Sequence, residues 1–172
     1  VMTFKPRPAA YFSPDLPLAS PAQETISAIG GAELNVAVAM SRAGGQRASY
    51  VSVLPSGPLG DQVVYAAASA NVDTAHVLRD ETPNSMLGTL HVVDEGNGPK
   101  PHYQRLQSAF CSTISSSTFD WARLLVGERW LHVTGITPLL GPGPRGAWDA
   151  ALSAASREPT LDVSLDFNHR PM

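Results

Sequence analysis

Three short runs carry side chains able to recognise a polyhydroxy or anionic small molecule. Asp166-Phe-Asn168-His-Arg170 sets polar groups at alternate positions at the end of an apolar stretch. Alternate residues of a strand share a face, and the carboxyl ends of strands in an open α/β sheet are where ligands bind. Arg170 could hold a carboxylate or phosphate by two parallel hydrogen bonds; an exposed strand end with a surface arginine explains the run equally well. Gly30-Gly31-Ala32, followed by Asn35, puts two glycines directly before a helix-permissive segment. Glycines there let backbone approach a ligand closely, and Asn35 offers an amide one turn into the helix. On its own this run reads more simply as a strand-to-helix turn beside a satisfied core amide. Tyr103-Gln-Arg105 could reach over a site with a ring that stacks and a guanidinium that pairs, although any exposed hairpin carries such residues.

Gly141-Pro-Gly143-Pro-Arg-Gly146 has the GxGxxG spacing of a dinucleotide loop, with Asp166 about 20 residues on. Such a loop works by aiming backbone N–H groups at a pyrophosphate, and Pro142 and Pro144 have none. The sequence is better read as a proline-stiffened loop entering a helix. No GxxxxGK[ST] and no GxSxG occurs, which leaves no P-loop and no hydrolase elbow. His76, His91, His102, His132 and His169 lack ligand spacing and Cys111 is the single cysteine, so neither a structural metal nor an internal disulfide is expected.

The elements that must position these runs follow from composition and periodicity. With 172 residues, 43% hydrophobic and 16% charged, the chain can bury the core of one domain, expected to occupy residues 1–172. A net charge of -3 and scattered Lys and Arg give no field for nucleic acid or an anionic membrane surface. The longest apolar stretch, about Leu34 to Met40, is too short to span a bilayer, and a cytoplasmic location is expected. Strands are predicted over Val1 to Phe4, Glu24 to Ile29, Arg47 to Leu54, near His76 to Leu78, Trp130 to Val133 and Leu161 to Phe167. Helices are predicted over Ala32 to Ala43, Asp61 to Ala70, Phe119 to Val126 with Thr118 as N-cap, and Gly146 to Ser156. Pro55 to Gly60 reads as a turn and Ser112 to Thr118 as a Ser-rich link. This alternation predicts a mostly parallel α/β sheet flanked by helices. Met86 to Val93 and His102 to Leu106, separated by the Asp94 to Pro101 turn, read as an inserted hairpin. Both chain ends lack caps and polar tails, as in a truncated chain.

Taken in order, these segments resemble the ribokinase-like (PfkB) carbohydrate kinases over essentially the whole chain. Gly30-Gly-Ala-Glu-Leu-Asn35-Val-Ala followed by a small-residue helix ending at Gly44 resembles the family's first signature. Leu54-Pro-Ser-Gly-Pro-Leu-Gly60-Asp61 and Asn71-Val-Asp-Thr-Ala-His-Val77 resemble its next loop and the segment leading to its β lid. Tyr103-Gln-Arg105-Leu-Gln-Ser108-Ala109, Gly135-Ile136-Thr137-Pro138 and Asp166-Phe-Asn168-His-Arg170 are most similar to 2-keto-3-deoxygluconate kinases; fructokinases share the last.

The resemblance implies a ribokinase-like fold, of which this chain is the N-terminal half, with lid segments at about 9–29 and 86–110. It implies that Gly31 and Asn35 contact substrate hydroxyls and that Tyr103 and Arg105 close over the sugar. Ile136 would line the site and Arg170 would meet the acid end, with Gly30, Asp166 and Asn168 in support. ATP and Mg2+ are implied for the complete enzyme, with the catalytic Asp beyond Met172. Pairing through the lid into a homodimer or larger assembly is implied as well. A fructokinase-like kinase of a neutral sugar is the alternative enzyme reading. A non-catalytic sugar-binding or assembly fragment is the alternative outside catalysis.

Overall fold

The computed structural model describes residues 2–4, 29–44, 46–94 and 99–169. Arg170 and, except for Ile29, the lid segment expected at about 9–29 and the strand expected over Glu24 to Ile29 lie outside the described residues. Ile29 itself is not in a strand.

Five strands form the main sheet: β1 (Met2–Phe4), β2 (Ala48–Tyr50), β4 (Val72–Asp73), β8 (Trp130–Thr134) and β9 (Asp162–Asp166), in the order β4-β2-β1-β8-β9. β2 runs parallel to β4, and β8 parallel to β9. β1 is antiparallel to both of its neighbours, so the sheet is parallel except at its middle strand. The run expected as one strand from Arg47 to Leu54 divides at Val51, after which β3 (Ser52–Pro55) leaves the main sheet to pair in parallel with β5 (Val77–Asp80).

Two apolar clusters flank this framework, because successive strand residues point to opposite faces. Leu131 and Val133 of β8 are fully buried with Ala147 and Ala151 of α5 (Pro142–Ala155), Trp121 of α4 (Trp121–Leu124) and Ala109 of α3 (Ala109–Thr113). Trp130, one residue out of phase with Leu131, packs instead on a second cluster. That cluster unites Leu34, Ala37 and Met40 of α1 (Ala32–Gly44) with Val63 and Ala67 of α2 (Pro58–Ser69). β9 is the edge strand beside β8, and its Val163 and Leu165 remain 45% and 40% exposed.

Several expected boundaries need correction. α2 begins at Pro58, inside the expected Pro55 to Gly60 turn, and α5 begins at Pro142 rather than Gly146. The first N–H groups of a helix have no intrahelical acceptor, so proline is tolerated in that turn. The Ser-rich link overlaps α3, whose N-cap Ser108 accepts from the Cys111 N–H. α4 is shorter than expected and is capped by Asp120, which accepts from the Arg123 N–H. Thr118 instead accepts from the Ser115 N–H, closing the turn before it.

The expected hairpin is present as β6 (Thr89–Asp94) and β7 (Pro99–Gln104), an antiparallel pair in which Leu90 faces Tyr103 and His91 faces His102. β7 begins three residues before the expected His102. Its two prolines are compatible with strand because β7 pairs on one side only and an edge needs fewer donors.

Candidate functional site

The start of α1 is shaped by glycine. Gly31 has φ +152°, a conformation L side chains rarely adopt, and its carbonyl accepts from the Asn35 N–H at 2.8 Å, closing the first helical turn. Asn35 folds over Gly30: a Cβ there would sit 3.5 Å from Asn35 Oδ1 and 3.8 Å from Nδ2. Asn35 is exposed, so it is not the satisfied core amide of the simpler reading.

Two residues before Asn35, Glu33 turns inward. Its Oε1 accepts from Thr134 Oγ1 and from Thr137 Oγ1, both at 2.7 Å. Thr134 is fully buried at the end of β8, and Thr137 opens a short 3-10 turn, Thr137–Leu139, with half-buried Ile136 as its N-cap. Burial is the largest influence on the Glu33 carboxyl and works to raise its pKa. The Thr137 and Thr134 hydroxyl donors oppose it, and the pKa lies below its ordinary value.

The ends of β8 and β9 are joined next to this clamp. The Gly135 N–H donates to the Asp166 carbonyl at 2.8 Å, and a Cβ on Gly135 would lie 2.8 Å from the Phe167 carbonyl oxygen. Asn168 takes the left-handed conformation (φ 50°) and its N–H donates to Asp166 Oδ1 at 2.8 Å. One oxygen of the exposed Asp166 carboxylate therefore closes the turn at the strand end. The structure thus brings Gly30, Gly31 and Asn35 to the same end of the sheet as Ile136, Asp166 and Asn168, at strand carboxyl ends where open α/β sheets bind ligands.

Glu33, Thr134 and Thr137 were not among the expected site residues. One signal was legible: Glu33 is the lone carboxylate of α1 and the only charged residue in its first half. A part-buried hydrogen-bonded trio also lies on β8 and β9, where Trp130 Nε1 donates to Ser164 Oγ and His132 Nδ1 lies 2.8 Å from the same oxygen. Burial, opposed by the Glu33 and Asp166 carboxylates, holds the His132 pKa below 6.5.

Tyr103 and Arg105 meet each other. The Arg105 guanidinium carbon lies 4.2 Å from the Tyr103 ring centroid, and the Arg105 carbonyl accepts from the Ser108 N–H and Oγ. Ala109 N–H donates to the Met86 carbonyl, fixing the hairpin base. Among the described residues, no hydrogen bond or ring contact ties Tyr103 or Arg105 to the group around α1, β8 and β9.

The glycine run 141–146 packs rather than binds. A Cβ on Gly143 would lie 2.2 Å from the Ile114 carbonyl oxygen, and one on Gly146 3.4 Å from the Ser116 backbone nitrogen. The glycines let α5 approach the chain after α3. No group of three or more metal-ligating side chains occurs among them, and no described helix is long and apolar enough to cross a membrane.

The sequence profile of the pfkB family carbohydrate kinases matches residues 15–99. The chain belongs to that family. Among solved structures, this pfkB-family chain is similar to 2-dehydro-3-deoxygluconokinase from Thermotoga maritima, with 34% identity and a TM-score of 0.71 over 82% of this chain and 42% of that one. It is similar to the PfkB protein from Polaromonas sp. JS666 at 29% identity and a TM-score of 0.74, covering 91% and 52%. It is also similar to the fructokinase with bound ATP from Xylella fastidiosa at 26% identity and a TM-score of 0.65, covering 83% and 42%. The chain thus spans about half the length of these relatives or less. The fold expected from sequence, ribokinase-like with parallel strands and flanking helices, is the one these structures share with it.

Proposed function

We propose that this chain supplies the sugar-binding part of a kinase that phosphorylates a 2-keto-3-deoxy sugar acid, with 2-keto-3-deoxygluconate converted to its 6-phosphate. The observation that carries this reading is the clustering of Gly31, Asn35 and Ile136 with the ends of β8 and β9, held by Glu33. Similarity to the Thermotoga maritima 2-dehydro-3-deoxygluconokinase supports the acid as substrate.

In this reading the exposed Asn35 amide gives and takes hydrogen bonds with sugar hydroxyls, while Gly31 lets backbone approach the ring. Ile136 forms an apolar wall, Tyr103 and Arg105 close from the hairpin, and Arg170 pairs with the substrate carboxylate. Gly30, Asp166 and Asn168 shape the surrounding backbone. ATP as phosphoryl donor, with Mg2+, belongs to the same proposal, and the groups that hold them are assigned to residues other than those described. Location in the cytoplasm and pairing of two copies through the hairpin complete it.

The alternative is a fructokinase-like kinase of a neutral sugar. It is favoured by the Asp166-Phe-Asn168-His-Arg170 run, which fructokinases share, and by the similarity to the Xylella fastidiosa enzyme. Calorimetric titration of the chain with 2-keto-3-deoxygluconate and with fructose separates the two, and ADP release from the complete enzyme repeats the comparison under turnover. Preference for the acid, lost in Arg170→Ala while fructose binding is unchanged, supports the proposal; preference for fructose overturns it. Sugar binding and dimerisation without turnover in the complete gene product would instead support a binding or assembly module.

A further inference from the structure

Glu33 lies between the two residues assigned to substrate, Gly31 just before α1 and Asn35 within it, yet points away from them. Residues two apart on a helix are separated by about 200° around its axis, so a side chain at 33 fixed toward β8 sets Asn35 on the outer side. Its partners come from 101 and 104 residues further along the chain. Thr134 closes β8, and Thr137 directly follows Ile136. Both hydroxyls donate to the same oxygen, Oε1, so neither strand end nor helix start can rotate without lengthening one of two 2.7 Å bonds.

A stabilising role alone does not account for a carboxylate here. Taking a charge from water is costly even when it is well hydrogen-bonded, and replacing a buried charged group together with its polar partners by apolar residues is often neutral or stabilising. What an apolar residue could not supply is the directional link between α1 and the β8 end.

We propose that Glu33 is a positioning residue for the sugar site: through Thr134 and Thr137 it sets the orientation of Gly31 and Asn35 relative to Ile136 and the end of β9. The role rests on the sugar-binding reading above.

The test compares Glu33→Leu, Glu33→Gln and Thr137→Val in the 172-residue chain. Three quantities are read: affinity for 2-keto-3-deoxygluconate and fructose, the urea unfolding midpoint, and backbone amide exchange at Asn35 and Gly135. Glu33→Leu leaves the buried Thr134 and Thr137 hydroxyls without their acceptor, so it is expected to lower the unfolding midpoint and, without urea, where it is folded, to bind the preferred sugar about tenfold more weakly or worse. Glu33→Gln keeps an oxygen that can accept both hydroxyls and is expected to stay within about threefold of wild type. Thr137→Val, which removes one donor, should fall between them.

A folded Glu33→Leu that binds like wild type overturns the proposal, as does Glu33→Gln binding as weakly as the leucine variant. Should Glu33→Leu fail to fold, wild-type binding by Thr137→Val overturns it and a loss in that variant upholds it. If the wild-type chain binds neither sugar, the functional reading fails and amide exchange decides separately. Faster exchange at both Asn35 and Gly135 in Thr137→Val upholds the positioning link, and unchanged exchange overturns it.

Discussion

Arg105 lies over the ring of Tyr103, its guanidinium carbon 4.2 Å from the ring centroid, on the hairpin that the proposal folds over the sugar. Tyr103 is 43% exposed and faces Leu90, itself 51% exposed, across the hairpin. An exposed cation–π pair contributes about 0.5–1 kcal/mol. Removing either partner should therefore change the unfolding free energy by less than about 1 kcal/mol. Because the same pair presents a preformed ring and charge to a ligand, Tyr103→Ala and Arg105→Ala should each lower sugar affinity about tenfold. Parallel calorimetry and urea unfolding check both halves; a loss of stability matching the loss of affinity would reduce the pair to a structural one.

Gly143 has the reverse profile. A methyl there would meet the Ile114 carbonyl at 2.2 Å, and that atom is backbone rather than the flexible end of a side chain. Gly143→Ala should cost about 1–3 kcal/mol or more, the usual cost of overpacking. Each kcal/mol corresponds to roughly 2–4 °C in the unfolding temperature at this chain length. The substitution should leave nucleotide binding by the complete enzyme unaltered, because α5 begins on a packing contact and not on a phosphate site. Thermal unfolding with a nucleotide titration tests this, and selective loss of nucleotide affinity would restore the dinucleotide-loop reading.

His132 gives the fold a pH dependence whose direction can be worked out. Trp130 can only donate, so it gives its hydrogen to Ser164 Oγ; the Ser164 hydroxyl is then directed at His132 Nδ1, 2.8 Å away. That arrangement needs an unprotonated Nδ1 and places the ring hydrogen on Nε2, which is buried with no partner among the described residues. Burial lowers the pKa from 6.5, and the Glu33 and Asp166 carboxylates offset only part of it. The unfolded chain therefore takes up a proton that the folded chain resists. His132 leaves stability intact above pH 6.5 and lowers it as the pH falls from 6.5 toward the depressed folded value. Urea unfolding of wild type and His132→Gln between about pH 8 and pH 5 should show a decline in stability that is smaller in the variant. Equal declines would assign the dependence to other groups.

The parts of this fold that were legible in the sequence are those governed by local pattern. The apolar small-residue run from Ala32 onward, stopped by glycine, marks α1 to within a residue, and β8 and β9 follow from their apolar runs. The start of α5 was hidden because Pro142 and Pro144 suggest a loop, yet a first helical turn has no need of their missing N–H groups. α3 spans five residues, too few for a periodic signal. β1 was visible as a strand but not as an antiparallel one, since direction depends on its neighbours and not on its own residues. The site divides in the same way. Gly31, Asn35 and Asp166 stood out by type and position and Ile136 through the family resemblance, while the bonds from Glu33 to Thr134 and Thr137 link residues more than a hundred positions apart and leave no local pattern.

The join between β8 and β9 yields the last prediction. Gly135 sits where its N–H reaches the Asp166 carbonyl and where a Cβ would press to 2.8 Å from the Phe167 carbonyl oxygen. Gly135→Ala must push the Phe167 peptide away, and the turn at Asn168 moves with it because its N–H is bonded to Asp166. The expected result is a loss of about 1–3 kcal/mol in unfolding free energy together with weaker sugar binding, since the strand end that leads to Arg170 is displaced from Ile136. Asn168→Gly relieves the left-handed backbone at φ 50° without altering the Asp166 bond. It should cost little in stability, and affinity should hold if Asn168 only shapes the backbone. Measuring both variants separates the two roles of this strand end: a loss of affinity in Asn168→Gly alone would make the Asn168 side chain itself a sugar contact.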